Sequence, residues 1–336
     1  MIFLRKILFP FAILYGFITS IRNWCYDSGI FKADVFDIPI IAVGNLSVGG
    51  TGKTPQIEYL IRLLQDSFQV ATLSRGYKRK SKGFLLASKK DTPETLGDEP
   101  FQIYQKFPKI QVAVDANRKN GIENLLAQKN KPTVILLDDA FQHRKVKAGL
   151  YILLTAYDDL YVDDYLLPTG NLREARSGAK RAHVVVVTKC PPTISKEEML
   201  QLQLKLRLNK SQELYFSTIA YDDSVYSEEL TLKVAAIENE PKVLLTGIAK
   251  PASFYHYLKK ENDIVLTFPD HHHFSSTDIA EIKSKVQNKI IITTEKDFVR
   301  LSGMLPKEQL FYLPIKSSFV GNGDDFDSTI FNLLNK

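Results

Sequence analysis

The sequence predicts an α/β fold, with a mostly parallel sheet flanked by helices and a second, smaller α/β domain. Two observations support this prediction. Short apolar runs alternate with longer amphipathic stretches, which is the pattern of strands and crossover helices in a parallel sheet. A glycine-rich segment near residue 50 also stands between an apolar run and an amphipathic stretch, and such strand-to-helix turns commonly bind phosphate groups.

Length and composition are those of a globular protein. The chain has 336 residues, of which 44% are hydrophobic and 24% charged, so it can build a sizeable core in one large α/β domain or in two domains, and we expect two. Cys25 and Cys190 have no CxxC spacing, which indicates neither a disulfide framework nor a zinc site. The net charge of +6 and a basic run from Arg75 to Lys82 suit an anionic partner, whether lipid, nucleotide or nucleic acid.

The first segment, residues 1–28, differs from the rest of the chain. Ile7 to Ile18 carries no charge and has basic residues on both sides, but it is shorter than the roughly 20 apolar residues that span a bilayer. No small-residue cleavage site follows at 24–26, which argues against a secretory signal peptide. The residues alone leave two interpretations open, a buried core helix and a helix lying in the membrane interface.

Five apolar runs predict strands in the first domain, residues 29–221. They are Ile38–Val43, Val70–Leu73, Val134–Leu137, Tyr151–Leu154 and Val184–Thr188. Ligands of open α/β sheets bind at the carboxyl ends of strands, so polar motifs after these runs are the first site candidates. A charged stretch over 195–208 predicts a helix, and Leu214–Tyr221 predicts one more strand.

A polar segment predicts a linker over residues 222–240, and a second α/β series follows over 241–336. Its strand candidates are Lys242–Thr246, Ile264–Phe268, Lys289–Thr293 and Leu310–Ile315, before a final helix. We expect this smaller domain to close the active-site cleft. Its last segment is a candidate to pack back on the first domain.

The turn after the first strand has the composition of a P-loop. Its glycines let backbone N–H groups approach phosphate oxygens, and the helix that follows adds its positive end. We expect Lys53 to bridge the β- and γ-phosphates of ATP and the Thr54 hydroxyl to hold Mg²⁺. The general pattern has glycine where this chain has Ser47. The predicted nucleotide-binding residues are Ser47, Val48, Gly49, Gly50, Thr51, Gly52, Lys53 and Thr54.

Two aspartates directly follow the third strand candidate. Asp138 and Asp139 meet the second requirement of a P-loop site, an acid at the end of a neighbouring strand. A cation offsets the repulsion between paired carboxylates, which would otherwise raise one pKa. An aspartate pair after a strand can also be a turn or a helix cap, but beside a P-loop the metal interpretation is favoured.

Eight motifs stand in a fixed order along the chain. They are VGNLSVGGTGKTP (43–55), LSRGY (73–77), GDEP (97–100), LLDDAFQHR (136–144), LLPTGNLRE (166–174), TGIAKPASF (246–254), FPDHHHF (268–274) and TTEKDFVR (293–300). Through them the chain resembles the tetraacyldisaccharide 4'-kinase family, the lipid A 4'-kinases of Gram-negative bacteria, over nearly its whole length. Ser47 agrees with the variant loop of that family, whereas Ala140 stands where the family motif has glycine.

The resemblance implies transfer of the ATP γ-phosphoryl group to the 4'-hydroxyl of a tetraacylated, 1-phosphorylated glucosamine disaccharide, forming lipid IVA. ATP and Mg²⁺ are the implied cofactors. Because the acceptor carries acyl chains, the resemblance favours an interfacial membrane helix over 1–28 and a location at the cytoplasmic face of the inner membrane. The expected partners are the lipid substrate and the membrane surface, without nucleic acid, and we expect a monomer.

The resemblance also implies residue roles. Asp98 in GDEP is the expected general base, assisted by His271 or His272, which the sequence does not distinguish. Glu99 is expected on Mg²⁺ with Thr54, Asp138 and Asp139, although GDEP alone would be interpreted as a helix start. Arg173 is the expected catalytic arginine. The residues expected to face the acceptor are Arg75, Asn171, Gln142 and His143. Lys296 and Asp297 fit a nucleotide-side or domain-closing role and a helix start equally well.

Two other functions compete with this assignment. A soluble P-loop NTPase acting as a switch or metallochaperone would use the same turn without phosphorylating a lipid. A nucleic-acid-binding ATPase could use the basic run, but no aromatic-interleaved RNA motif supports it.

Overall fold

The protein is described by a computed structural model over residues 7–249, 251–270 and 272–334. It divides into two compact units. The first runs to Ile219 and resumes at Ser317, and the second is Ala220–Lys316. The C-terminal segment therefore belongs to the first unit. Phe326 and Ile330 of its helix are fully buried in the core of that unit, which gives the physical reason for the return.

The strands are β1 (Ile40–Asn45), β2 (Val70–Ser74), β3 (Leu85–Leu86), β4 (Gln111–Val114), β5 (Val134–Asp138), β6 (Leu150–Ala156), β7 (Val184–Thr188), β8 (Glu213–Tyr221), β9 (Ser224–Tyr226), β10 (Thr231–Lys233), β11 (Val243–Thr246), β12 (Ile264–Thr267), β13 (Ile291–Thr294), β14 (Leu310–Leu313) and β15 (Ile315–Phe319). The α-helices are α1 (Phe9–Asp27), α2 (Lys53–Leu64), α3 (Pro93–Leu96), α4 (Asp98–Lys106), α5 (Arg118–Leu126), α6 (Lys196–Leu206), α7 (Ala252–Leu258), α8 (Ser276–Val286), α9 (Glu295–Leu301) and α10 (Gly323–Leu334).

The first unit contains a nine-stranded sheet in the order β15-β8-β7-β6-β1-β5-β2-β4-β3. The pairs from β8 to β4 are parallel, and β3 pairs with β4 in the antiparallel direction. Every residue of β1, β5 and β7 is buried. Strands of a parallel sheet covered on both faces are continuously apolar, which is why these runs could be found in the sequence. All five strands predicted there are present, with small shifts at their ends.

Helix α1 lies against the first unit through a narrow face. Ala12 and Gly16 are buried, and a Cβ added at Gly16 would stand 2.6 Å from Leu166. Many large apolar side chains of the helix are exposed, with Phe11, Phe17 and Trp24 each 60% exposed or more. Within the described residues, no helix is both long and apolar enough to cross a membrane.

The second unit has a six-stranded sheet in the order β10-β9-β14-β13-β11-β12. Strands β11 to β14 pair in parallel, whereas β9 is antiparallel to both β10 and β14. The linker predicted over 222–240 is wrong, because β9 and β10 lie within it. Val225 is fully buried among apolar side chains of this unit, so the segment extends the sheet although its composition is polar.

Candidate active site

The turn between β1 and α2 has the geometry of a phosphate-binding loop. Gly52 caps α2 with a φ of 83°, a left-handed backbone that suits glycine. The Thr188 hydroxyl donates a hydrogen bond to the Thr51 carbonyl at 2.8 Å, and the Val48 N–H donates to the Asn171 carbonyl at 2.8 Å. Contacts from two distant segments therefore hold the loop in front of a helix N-terminus, where phosphate groups bind.

Lys53 lies at the same sheet edge as the two aspartates. Strands β1 and β5 are neighbours, and Val43 stands opposite Asp138 in their register. The Lys53 Nζ is 3.7 Å from the Asp139 Oδ1 and 3.5 Å from the Asn45 Oδ1. The lysine of the loop and the acids at the end of β5, found as separate motifs in the sequence, thus form one site.

Asp139 holds Arg173 in a two-pronged ion pair. The Arg173 Nη1 donates to Oδ2 at 3.1 Å and Nη2 donates to Oδ1 at 2.8 Å, while Nη2 also donates to the Asn45 side chain. Burial opposes ionisation of Asp139, but the Arg173 hydrogen bonds and the Lys53 charge outweigh it and lower the pKa. An ionised Asp139 therefore keeps two cations side by side at the loop.

The pKa of Asp138 is shifted in the opposite direction from that of Asp139. Burial, and then the charge of Asp139, raise the pKa of this carboxyl to about 6. Its Oδ1 is buried and has no hydrogen-bond partner within the described part of the chain. A carboxylate oxygen without a partner, in a site that raises its pKa, is the signature of a group that a cation would satisfy.

The donor set fits Mg²⁺ in a nucleotide site. Residues 7–249, 251–270 and 272–334 contain no group of three or more His, Cys, Asp and Glu side chains that could hold a metal by themselves. Mg²⁺ at such sites takes one or two protein ligands and completes its shell with phosphate oxygens and waters. Asp138 fits this role better than Asp139, because both oxygens of Asp139 already accept hydrogen bonds from Arg173.

Asp98 and Glu99 form the first turn of α4, so GDEP is a helix start as well as a site candidate. The Glu99 charge contributes to the raised pKa of Asp138, so Glu99 acts within electrostatic reach of the metal candidate. The role of Asp98 as base stays a prediction.

Glu174 organises the site and was missed by sequence reasoning. It is 3% exposed. Its Oε1 accepts hydrogen bonds from Gln142 at 3.0 Å and Arg181 at 2.8 Å, and its Oε2 accepts one from Asn23 of α1 at 2.8 Å. Gln142 also donates to the Asn45 carbonyl at 2.8 Å, so it links this carboxylate to the end of β1. The only signal in the sequence was an acid next to Arg173 in the quoted GNLRE motif.

His143 is a neutral group among cations. Burial lowers its pKa to about 4, and the charges of Arg118, Lys145, Arg22 and Arg75 act in the same direction. Its Nε2 is buried without a hydrogen-bond partner among the described residues. Positive charges that act together on one imidazole make a local field that suits an anionic ligand.

Arg118 was also missed. It is 2% exposed, and it donates to the Asp115 carbonyl at 2.5 Å and to the Asp138 carbonyl at 3.2 Å. Burial lowers its pKa to about 10, so the guanidinium stays charged at neutral pH. This buried cation lies directly behind the metal candidate.

His272 belongs to the second unit. Its Nε2 lies 3.0 Å from the Asp278 Oδ2, and its ring stacks on Phe268 with centroids 5.0 Å apart. Hydrogen bonds from Ser275, and then from His272, lower the pKa of Asp278 to about 2. His271 lies outside the described residues. The predicted assistance of Asp98 by one of these histidines stays a prediction.

Asp297 acts at a helix start. It is fully buried, and its Oδ2 accepts hydrogen bonds from the Gly247 N–H and the Thr294 hydroxyl, both at 2.8 Å. Thr294 is the N-cap of α9. These contacts favour the helix-start interpretation of TTEKD.

Backbone conformation explains why alanine is accepted at position 140, in the loop at the end of β5. The left-handed residue of that loop is Asp139, with φ 49°, and not Ala140. Alanine therefore fits where the family motif has glycine.

Known proteins match the chain from end to end. A sequence profile described as LpxK, tetraacyldisaccharide-1-P 4'-kinase, matches residues 4–335. The tetraacyldisaccharide 4'-kinase of Flavobacterium johnsoniae is 63% identical over 331 residues, covering 98% of this chain and 97% of that protein. The chain belongs to the tetraacyldisaccharide 4'-kinase family. The family member of Bacteroides thetaiotaomicron is 45% identical over 345 aligned residues, covering 96% of this chain and 91% of its own.

A solved member of the tetraacyldisaccharide 4'-kinase family has the same fold. The crystal structure of LpxK from Aquifex aeolicus in complex with ATP superimposes with a TM-score of 0.80 at 32% identity, over 98% of this chain and 99% of that one. The fold class and the family resemblance predicted from the eight motifs are thereby confirmed.

Proposed function

We propose that the protein transfers the γ-phosphoryl group of ATP to the 4'-hydroxyl of a tetraacylated glucosamine disaccharide 1-phosphate, giving lipid IVA in lipid A biosynthesis. One observation carries the proposal. Asp139 holds Lys53 and Arg173 side by side at a phosphate-binding loop, so two cations meet where a transferring phosphoryl group spreads its charge. Family membership supports the acceptor, and the ATP complex of the Aquifex aeolicus relative supports the donor.

The chemistry is an in-line displacement at the γ-phosphorus. The 4'-hydroxyl oxygen forms a bond to that phosphorus as the bond to the β,γ-bridging oxygen breaks, and ADP leaves. Asp98 takes the hydroxyl proton, which makes the oxygen a better nucleophile. Lys53 and Arg173 bind the phosphoryl oxygens. The Arg173 side chain keeps its orientation because both of its terminal nitrogens donate hydrogen bonds to Asp139.

Asp138 and the Thr54 hydroxyl would hold Mg²⁺, with Glu99 nearby. The ion would neutralise charge on the β- and γ-phosphates. Asp138 must ionise to bind it, and the raised pKa of about 6 means that most of the carboxyl is ionised at neutral pH.

The cationic group around His143 is the proposed site for the phosphate of the acceptor. Arg22, Arg75 and Arg118 all act on the His143 pKa, so three guanidinium groups lie within electrostatic reach of one imidazole. Guanidinium groups bind phosphate in a planar, two-pronged geometry. Arg22 belongs to α1 and donates to the Gln142 carbonyl at 3.1 Å, which connects this cluster to the helix.

Helix α1 is the proposed membrane contact, at the cytoplasmic face of the inner membrane. Its exposed phenylalanines and Trp24 lie on a helix that is docked through Ala12 and Gly16, so the apolar surface points away from the body of the unit. Such a helix binds in the interface and brings the site to an acyl-chain substrate that stays in the bilayer. One chain carries the loop, the acids and Arg173, so we propose that a monomer is active.

The function is tested with radiolabelled ATP and a detergent-dispersed tetraacyldisaccharide 1-phosphate. Label in the lipid fraction is expected, and it should require both Mg²⁺ and Lys53. Label appearing only as free phosphate would instead favour the switch or metallochaperone function and refute the kinase assignment.

The membrane contact is tested by replacing two exposed phenylalanines. Phe11 and Phe17 are 63% and 64% exposed, so the double variant Phe11→Ser, Phe17→Ser should fold normally. Losing two apolar anchors should weaken binding to anionic vesicles roughly tenfold or more. The matched control is Leu200→Ser, Leu204→Ser on α6, where the side chains are 54% and 62% exposed. Equal vesicle binding of both double variants would refute the role of α1.

A further inference from the structure

A buried carboxylate that the proposed mechanism does not use lies between α2 and α4. Glu58, in the middle of α2, is 1% exposed. Its Oε2 accepts from the Lys106 Nζ and the Arg62 Nη2, each at 2.7 Å, and its Oε1 accepts from the Gln102 Nε2 at 3.2 Å. Lys106 and Gln102 belong to α4. Glu58 therefore joins the two helices by an ion pair and a hydrogen bond inside the core.

The contacts of Glu58 identify the faces of α2 and α4 that pack against each other. Residues four apart lie on one face of a helix. Thr54 stands one turn before Glu58, and Asp98 stands one turn before Gln102. The face of α2 that carries Thr54 and Glu58 thus packs against the face of α4 that carries Asp98 and Gln102.

The two helices also run in the same direction. Helix α2 leads into β2 and α4 leads into β4, and these strands are parallel neighbours with Ala71 opposite Gln111. Helices that lead into parallel strands of one sheet run antiparallel to those strands, so α2 and α4 are roughly parallel. Their first turns, with Lys53 and Thr54 on one and Asp98 and Glu99 on the other, lie at the same end of the pair.

We propose that Glu58 is a positioning residue for phosphoryl transfer, which sets the register of α4 on α2 and so places Asp98 and Glu99 relative to the P-loop. The inference rests on the proposed roles of those two acids. Apolar contacts hold the helices together but are not directional. Charge-assisted hydrogen bonds are directional, and fixing a register is the best-attested use of a buried ion pair, whose net contribution to stability is small.

The test is Glu58→Gln, which keeps the size of the side chain but removes the charge that faces Lys106 and Arg62. We expect kcat for lipid phosphorylation to fall about 10- to 100-fold, because a misplacement of about 1 Å can cost a catalytic site about 100-fold. Binding of ATP should stay one to one, with Kd within about threefold of wild type, since Glu58 lies away from the loop and its register contact is with α4. Lys106→Met, which removes one partner only, should show a smaller loss of the same kind.

The matched control is Asp66→Asn. Asp66 and Lys109 follow the same two helices in the chain and form an ion pair of 3.0 Å, but their side chains are 74% and 70% exposed. This variant should keep the wild-type kcat.

A double-mutant cycle with Asp98→Asn separates positioning from a general structural role. If Glu58 acts through α4, Glu58→Gln should lower kcat by a smaller factor once Asp98 has been replaced, the remainder reflecting the placement of Glu99. An undiminished loss of kcat in that background would overturn the inference.

Two results for the single variant Glu58→Gln would also overturn the inference. One is a wild-type kcat, and the other is a kcat that falls only in proportion to lost ATP-binding stoichiometry. If Glu58→Gln does not fold, Lys106→Met carries the same test, and a wild-type kcat there would overturn the inference. Wild-type lipid phosphorylation tests the proposed function separately, so the two failures are distinguishable.

Discussion

Replacing Asp138 by asparagine should stabilise the ligand-free protein while it abolishes turnover. Asp138 sits in a site that raises its pKa because burial and the Asp139 charge both disfavour its ionised form. Asparagine has the same shape without the charge. It also leaves the hydrogen bond from Arg118 in place, since Arg118 donates to the backbone carbonyl of residue 138.

The size of the effect follows from the pKa. A rise from 3.8 to about 6 corresponds to about 3 kcal/mol, because one pKa unit is worth about 1.4 kcal/mol. The folded state holds the proton more tightly than the unfolded chain, so the wild type loses stability as pH rises from about 4 to about 6. The advantage of Asp138→Asn should therefore grow from about 1 kcal/mol at pH 4.5 to about 3 kcal/mol at pH 7.5. The advantage at pH 7.5 is an upper limit, because Lys53 and Arg118 lose a nearby opposite charge in the variant.

Urea unfolding of wild type and variant at the two pH values, without nucleotide or Mg²⁺, measures this difference. Asp139→Asn is the matched control, because the Arg173 hydrogen bonds and the Lys53 charge outweigh burial and lower the pKa of Asp139. Its replacement should reduce stability by nearly the same amount at both pH values, because both lie above 3.8 and the contribution of a lowered pKa is lost only at lower pH. An advantage of Asp138→Asn that does not grow with pH, or a less stable variant at pH 7.5, would refute the electrostatic account.

Three further predictions concern the parts of the site. Lys53→Ala should abolish turnover because the phosphates lose their positioning cation, and near-normal lipid phosphorylation would remove the P-loop lysine from the mechanism. Asp98→Ala should lower kcat about 10²- to 10⁴-fold while ATP still binds, and loss of ATP binding in a titration would contradict its role as base. Deletion of residues 1–24 should release the protein from vesicles and also lower kcat in detergent, because Asn23 then no longer donates to Glu174. Continued sedimentation with vesicles would mean that another surface binds the membrane.

Local chemistry explains which features could be predicted from the sequence. The buried strands β1, β5 and β7 are apolar up to their last residues, and the turn before α2 needs glycines and a lysine within a few residues. The linker prediction failed because it relied on composition. Residues 222–240 are polar overall, yet β9 and β10 find their partners within the second unit, and composition does not reveal such pairing.

The sequence by itself determined the P-loop, the acids at the end of β5 and the family, because each depends on residues that are close together in the chain. Only the tertiary structure decided that Asp139 pairs with Arg173 while one oxygen of Asp138 has no hydrogen-bond partner among the described residues, although the two are neighbours of the same type. It also revealed Glu174 as the partner of α1 and Glu58 as the link between α2 and α4. The physical reason is that the pKa and the hydrogen bonds of a buried carboxylate depend on groups tens to hundreds of residues away, which folding brings within about 3 Å.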